Sequence, residues 1–479
     1  MKKTTYYREK RLEKSLFSLQ KIEGVVNRMN QDELRQSACA QARELMETHN
    51  RALRRQKIFR RSLLAVLAVT GVLLLGLIYY RIDASIPSVI RFRADQEQEL
   101  YLGFPGTGDI ISVSGQGESN IPVGKVSIDL SKKATLKLPE EGSCKLQVKL
   151  FGIFPIKEVG LQTISDRELI PMGCPIGLYV ETEGVLVVGT GEFVGVDGEI
   201  YSPARDILKS GDYIIALNGE AVSKKSDLTD RIAESRGKLQ TLTVRRDEEE
   251  ITLQIKPMKE KDSTYKLGIW VRDNAQGIGT MTYMDADGNF AALGHGITDV
   301  DTSTLMQMHG GRIYDAQIVG LRKGSPGDPG EVTGRITYTD QHVIGEITHN
   351  SNKGISGVCN EAGKQMTLAE PLPIALRQEI EKGYAQMLCT IDEKPEYFDI
   401  EIVKIHKEYD RVNRGLEIRV TDQRLLELTG GIVQGMSGSP IIQNGRIVGA
   451  VTHVLVNDST RGYGIFIEKM LEAADRKIE

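Results

Sequence analysis

Ser437 stands between two glycines in Gly435-Met-Ser437-Gly438-Ser-Pro440, and the run continues as IIQ, an Asn444-Gly445 turn and RIVGAVTHVLV. A serine on a tight turn that opens a β-hairpin presents its hydroxyl outward while nearby backbone N–H groups converge on one point, as a developing oxyanion requires. Ser437 is therefore the candidate nucleophile. The competing nucleophile elbow, GxSxG, needs a strand-to-helix turn, and the β-rich sequence after Pro440 disfavours it. A serine nucleophile needs a base. His295, in Leu293-Gly-His-Gly-Ile297, closes an apolar strand between two glycines, which leaves its imidazole approachable. An acid that orients the base must lie close to it, and the sequence offers Asp299, Asp301, Asp340 and Asp422 for that role. His309, His342, His349 and His406 carry no motif.

The elements that position these residues sit in a chain of 479 residues, 40% apolar and 26% charged, which excludes whole-chain disorder and fibrous repeats. A net charge of −4 conceals an asymmetry: residues 1–61 hold 16 Lys/Arg against 7 Asp/Glu. The basic character is local, so a nucleic-acid role for the whole protein is disfavoured. Next comes Ser62 to Tyr80, SLLAVLAVTGVLLLGLIYY, uncharged and about 28 Å long as a helix, which matches the hydrocarbon thickness of a bilayer. Arg51, Arg54, Arg55, Lys57, Arg60 and Arg61 precede it, so the positive-inside rule keeps residues 1–61 cytoplasmic and places everything after residue 81 outside. The length of that preface favours an uncleaved single-pass anchor over a signal peptide. A helical run from Gln31 to Arg61 reads as a solvated basic helix near anionic lipid.

The five cysteines are dispersed, with no zinc spacing and no disulfide framework; a Cys359–Cys389 bridge is the one pairing left open. No metal or organic cofactor is expected. Residues 85–165 alternate short β-type runs with Gly, Pro and Ser, predicting a small β module without chemistry of its own. In residues 173–260 the run Leu208-Lys-Ser-Gly211-Asp212-Tyr-Ile214-Ile-Ala-Leu-Asn218-Gly219 resembles the PDZ signature, followed by a helix near Ser226–Arg236 with Ser226 as N-cap. The resemblance implies binding of an extended peptide as an added strand, with Gly177, Leu178, Tyr179 and Val180 as the carboxylate-binding loop and its strand.

Residues 261–479 complete the chain. Asp285-Ala-Asp-Gly288 predicts a hairpin turn, because Phe290 and Gly296 stand where a calcium loop requires Gly and Glu. Gly-x-Ser-Gly-x-Pro resembles the nucleophile motif of chymotrypsin-like proteases, which implies a β-barrel catalytic domain with the Gly435 and Ser437 amides as oxyanion donors. It also implies that His453, sixteen residues after Ser437, lines the S1 pocket. The anchor, the PDZ signature, LGHGI, VTDQRLLELTGGIVQGMSGSPIIQNG and GAVTHVLVNDSTRGYGIFIE together resemble the stage IV sporulation protein B family of membrane-anchored serine peptidases. That resemblance implies Asp422 as the triad acid and secretion from the forespore into the space between the two sporulation membranes. It further implies self-cleavage and cleavage of the inhibitory membrane subunit of a sigma-factor-processing metalloprotease complex. A mainly β, multidomain chain is expected. The contrasting expectation is an anchored PDZ adaptor whose peptidase fold is inactive, and a Ser–His pair without an acid is a third.

Overall fold

The computed structural model describes residues 31–475, apart from 101, 104, 114–125, 139–142, 165, 326, 367–368 and 407–411. It divides into two units, residues 1–81 and residues 82–479. In the first, the expected preface helix and the apolar stretch are one helix that continues into the second unit, Gln31–Ser85. Its best window has a mean hydropathy of 2.4, and it is long and apolar enough to cross a membrane.

In the second unit, the module predicted for 85–165 is a five-stranded sheet ordered Val89–Arg93, Phe154–Ile164, Ser143–Leu150, Gly106–Val113 and Val126–Asp129. Phe92, Leu130, Leu146, Val148, Val159 and Leu161 are fully buried in its core.

Two six-stranded barrels follow. The second is simple: Gly383–Thr390, Pro395–Ile405, Leu416–Val420, Asp458–Phe466, Arg446–Leu455 and Pro440–Gln443 close on themselves. The first is assembled from distant segments. Pro175–Thr190 pairs with Met308–Arg322 on one edge and with Ile269–Met284 on the other, and Val343–Ser351, Gly354–Cys359 and Asn289–Ala292 complete the ring. The hairpin turn at Asp285–Gly288 is present: the Gly288 N–H donates to the Asp285 carbonyl at 3.1 Å, and the Asp285 carboxylate accepts the Asp287 and Asn289 amides.

Pro175–Thr190 and Ile269–Met284 are each 16 residues long, which is far beyond an ordinary strand. Their outer halves leave the barrel and carry the PDZ-like fold, in which Tyr213–Leu217 pairs with Val185 and Leu186 and then with Gln240–Arg246. Leu208, Ile214, Leu217, Leu228, Ile232 and Val244 fill its core. The PDZ-like fold is thus an excursion from the first barrel. This corrects two expectations. The boundary at 260/261 cuts the barrel, because residues 175–182 belong to it. Gly177, Leu178, Tyr179 and Val180 are a barrel strand paired on both edges, Gly177 with Ile278 and Tyr314 and Val180 with Ala275 and Gly311, so no backbone there is free to take an added strand.

The same topology sets an expectation for fragments. A chain of residues 261–479 lacks the strand to which two others are bonded, and exposes two unpaired edges. It should aggregate on expression, whereas residues 166–479 should be soluble and melt cooperatively by circular dichroism.

Candidate active site

The nucleophile turn belongs to the second barrel and the histidine loop to the first. They meet at Thr280, a buried residue of the strand Ile269–Met284. Its hydroxyl donates to the Gly435 carbonyl at 2.7 Å and its N–H to the Ser437 carbonyl at 3.1 Å, while its own carbonyl accepts the Leu293 N–H at 3.2 Å. Val332 N–H holds the Gln434 carbonyl at 2.8 Å and Ser439 N–H holds the Met436 carbonyl at 3.0 Å. Four successive peptide planes of the turn, from Gln434 to Ser437, are therefore each fixed through a carbonyl.

Of the four amides those planes carry, Met436 N–H donates to the Val433 carbonyl and Gly438 N–H to the Val451 carbonyl, and the other two are free. Among the described residues, no protein group accepts the Gly435 N–H or the Ser437 N–H. Gly435 reaches this geometry at φ 101°, a region that a side chain disfavours. Gly438, also at φ 101°, packs so closely on Thr280 and Leu293 that a Cβ has no room.

Leu293 and Gly294 both take φ 69°, an uncommon conformation for leucine, and this turn delivers His295 half-buried beside the second barrel. Its Nδ1 lies 3.0 Å from the Gly296 carbonyl. A carbonyl only accepts, so the proton sits on Nδ1 and Nε2 keeps a free lone pair, the form a general base needs. Burial disfavours the imidazolium and lowers the His295 pKa from 6.5, against a smaller raising effect of the Gly296 bond.

His453 packs its ring 5.1 Å from that of His295. Although it opens to solvent, surrounding atoms, then His295, then Arg414 push its pKa down to about 4. The structure thus sets His453 against the base, in contact with the ring that the sequence assigned to catalysis.

Ser437 Oγ donates to the Thr452 carbonyl at 2.8 Å and not to His295. Asp422 is elsewhere in its bonding: it is the N-cap of the helix Gln423–Thr429, with one oxygen accepting the Leu425 N–H at 3.0 Å and the other the Asp399 N–H at 3.3 Å. Among the described residues no carboxylate is hydrogen-bonded to His295; Asp299 and Asp301 are held by Arg272, and Asp340 by Arg312. The five cysteines are free thiols, so Cys359 and Cys389 are not bridged, and burial pushes the Cys359 thiol up to about 11.

The PDZ-like fold has a groove of about 450 Å³ that the sequence reading placed elsewhere. The helix Lys225–Glu234 forms one wall with Leu228 and Ile232, and Leu267, Ile269 and Val271 form the other. Among the described residues the strand at Ile269–Arg272 pairs with Leu186–Thr190 alone, which leaves its other edge open. Among the described residues nothing accepts the Leu267 and Gly268 amides. Tyr265-Lys-Leu-Gly-Ile-Trp270 is the sequence signal that was passed over. Ser226 does not cap the helix either. The helix starts at Lys225, and its first amide is capped by Asp273 at 2.9 Å, from that same strand.

Residues 263–471 match the SpoIVB peptidase S55 family. No curated protein matches the chain. Solved structures similar to it include the PDZ domain of the SdrC-like protein from Listeria monocytogenes, at 24% identity over 19% of this chain and 87% of that one with a TM-score of 0.16. Another is the Rv3671c protease from M. tuberculosis in its active form, at 14% identity over 43% of this chain and 76% of that one with a TM-score of 0.24.

Two measurements follow from the geometry. Thr280→Val should slow labelling of Ser437 by a fluorophosphonate about tenfold to a hundredfold, by loosening donors that act only on the transition state, while Thr280→Ser keeps the wild-type rate. A lowered base pKa stays deprotonated to lower pH, so the acid limb of the labelling rate should have its midpoint below 6.5. With the nucleophile turn and the base in one place and residues 263–471 similar to the SpoIVB peptidase S55 family, this chain is a serine peptidase.

Proposed function

We propose that this serine peptidase is a bilayer-anchored endopeptidase of sporulation, with residues 1–61 cytoplasmic and the barrels in the space between the forespore and mother-cell membranes. It cleaves itself and the inhibitory membrane subunit of a sigma-factor-processing metalloprotease complex. The observation that carries the peptidase chemistry is the pair of free amides at Gly435 and Ser437, held rigid by bonds across the barrels.

The steps follow from those atoms. Rotation about the Ser437 side chain releases Oγ from the Thr452 carbonyl and turns it toward His295. Oγ attacks the scissile carbonyl as its proton passes to His295 Nε2, and the oxyanion settles on the Gly435 and Ser437 amides. His295 then gives the proton to the leaving amine, and water hydrolyses the acyl-enzyme by the same route in reverse. Desolvation keeps the base neutral beforehand, and the Gly296 carbonyl keeps its tautomer. His453 flanks the base where a substrate strand would pass, in keeping with a role in the substrate pocket. The groove at Leu228, Ile232 and Leu267–Val271 receives an extended peptide tail, from a substrate, an inhibitor or another copy of the chain.

Self-cleavage of the full chain beside its Ser437→Ala counterpart tests the reading. Fragments should appear only with Ser437; intact bands together with no fluorophosphonate labelling would transfer the function to an inactive PDZ adaptor. Asp422 is separated by two substitutions. Asp422→Ala should cost about 1 kcal/mol of stability through the lost cap, and Asp422→Asn only a few tenths, because asparagine caps nearly as well. A stable Asp422→Asn protein that has lost roughly 10⁴ in rate makes Asp422 the orienting acid, whereas one that keeps its rate leaves a Ser–His pair.

A further inference from the structure

The groove between the helix Lys225–Glu234 and residues 265–271 has two unlike ends. At one, the Asp273 carboxylate caps the first helical amide, that of Lys225, at 2.9 Å. At the other, Gly237 follows the last turn and lies so close to the Tyr265 ring that a Cβ has no room. The helix therefore runs against the strand it faces, with Ile232 toward Leu267 and Lys225 toward Asp273. The Leu267 end is apolar. Leu228, Ile232, Leu267 and Ile269 line it, and among the described residues the Leu267 and Gly268 amides beside them are unbonded.

The other end is polar. Lys225 and Thr229 line it, and among the described residues no carboxylate pairs with the exposed Lys225 ammonium. Both Asp273 oxygens are engaged, one by the Lys225 amide and the other by Asn274 Nδ2 at 2.8 Å. The Thr229 hydroxyl donates to the Lys225 carbonyl at 2.9 Å, so its proton is spent. What this end leaves unpaired is a cation. A peptide whose terminal carboxylate meets the Leu267 and Gly268 amides runs antiparallel to the strand at Ile269–Arg272 on its open edge, with its last side chain against Leu228 and Ile232. Side chains two apart share one face of a strand and stand about 6.6 Å from each other. At about 1.5 Å per helical residue that is just over one turn, which brings the third side chain from the end to Lys225 and Thr229.

We propose that the groove selects chain ends with an apolar last residue and an acidic side chain third from the end, and that Lys225 sets this preference. The proposal rests on the reading that the groove receives a peptide tail. An exposed ion pair adds little affinity by itself, but a basic side chain at the same place is repelled, so the charge decides which tails are admitted. The apolar end supplies the affinity and the Lys225 end the choice.

The test uses the full chain in detergent, with Ser437→Ala to prevent cleavage of the probes. Trp270, the chain's one tryptophan, lines the groove and is 64% exposed, so its emission reports occupancy without a label. Short acetylated peptides ending in Glu-Ala-Leu and in Lys-Ala-Leu are titrated against this chain and against its Lys225→Met and Lys225→Glu forms. The Glu peptide should bind about tenfold more tightly than the Lys peptide to the parent, equally to Lys225→Met and more weakly to Lys225→Glu, and the gap in the parent should narrow in molar salt. Amidation of its end should weaken the Glu peptide by at least about tenfold, because the Leu267 and Gly268 amides then lose a charged acceptor. The same order of affinities in the parent and in Lys225→Glu would overturn Lys225 as the selecting residue while leaving the groove a peptide site. Equal binding of the free and amidated Glu peptides would put the tail in another register and overturn the place assigned to its acidic side chain. If no peptide binds, by Trp270 emission or by anisotropy of a fluorescein-labelled copy, the groove reading itself fails and the proposal with it.

Discussion

The ladder between Pro175–Thr190 and Ile269–Met284 is the constraint from which the rest of the molecule follows. Each strand serves two folds, so the groove and the candidate active site are written on one continuous backbone. The inner ends close a barrel and the outer ends open a PDZ-like sheet. Register shifts between Trp270 and Val271 and between Arg272 and Asn274 mark where one ladder gives way to the other. Because a strand alternates faces with period two, those shifts also let core residues on the barrel side and groove residues on the PDZ side each find their own interior.

Thr280 turns that ladder into catalytic geometry. Its hydroxyl and its amide hold the Gly435 and Ser437 carbonyls, beside the planes whose Gly435 and Ser437 amides stay unsatisfied and whose own carbonyls are held by Val332 and Ser439. Free N–H groups in a partly buried site are expensive, and the structure sustains them only because the peptide planes that carry them are bonded on the other side. The base is managed by the same economy of local bonds: burial keeps it neutral and the next carbonyl along the chain sets its tautomer.

What the sequence disclosed was what lies close in sequence. GMSGSP and LGHGI specify turns by their glycines, and the Asp285–Gly288 hairpin and the PDZ-like strand after Gly211 are equally local; all four stand where their residues predicted. The failures share one cause, which is pairing over long separations. Gly177–Val180 has the apolar, glycine-led character of a binding strand, yet partners nearly 100 and more than 130 residues away close around it. Ser226 is a good cap by type, but Asp273, 48 residues distant, takes the helix terminus. No local propensity encodes which of two distant strands will arrive first at an edge.

The step between the two folds also bounds how they communicate. Arg272, at the register shift, reaches Asp299 and Asp301 in the loop that follows His295, and Asp273 beside it caps the helix that walls the groove. Eight residues on, the strand arrives at Thr280 and the nucleophile turn. A peptide in the groove alters chemistry at Ser437 only so far as it binds one arrangement of this strand more tightly than another, since equal affinity for both moves no equilibrium. The bulge is where such arrangements differ at least cost, because the pairing is already interrupted there and neither barrel has to open. Asp299 is the group with most to resist: it is almost wholly buried, its charge is held by Arg272 and by the amides of Asp301 and Thr302, and stripping Arg272 from it would leave a carboxylate without its cation. Arg272 thus ties this strand to the loop that follows His295, and any shift that parts Arg272 from Asp299 is opposed by the carboxylate it would leave unpaired.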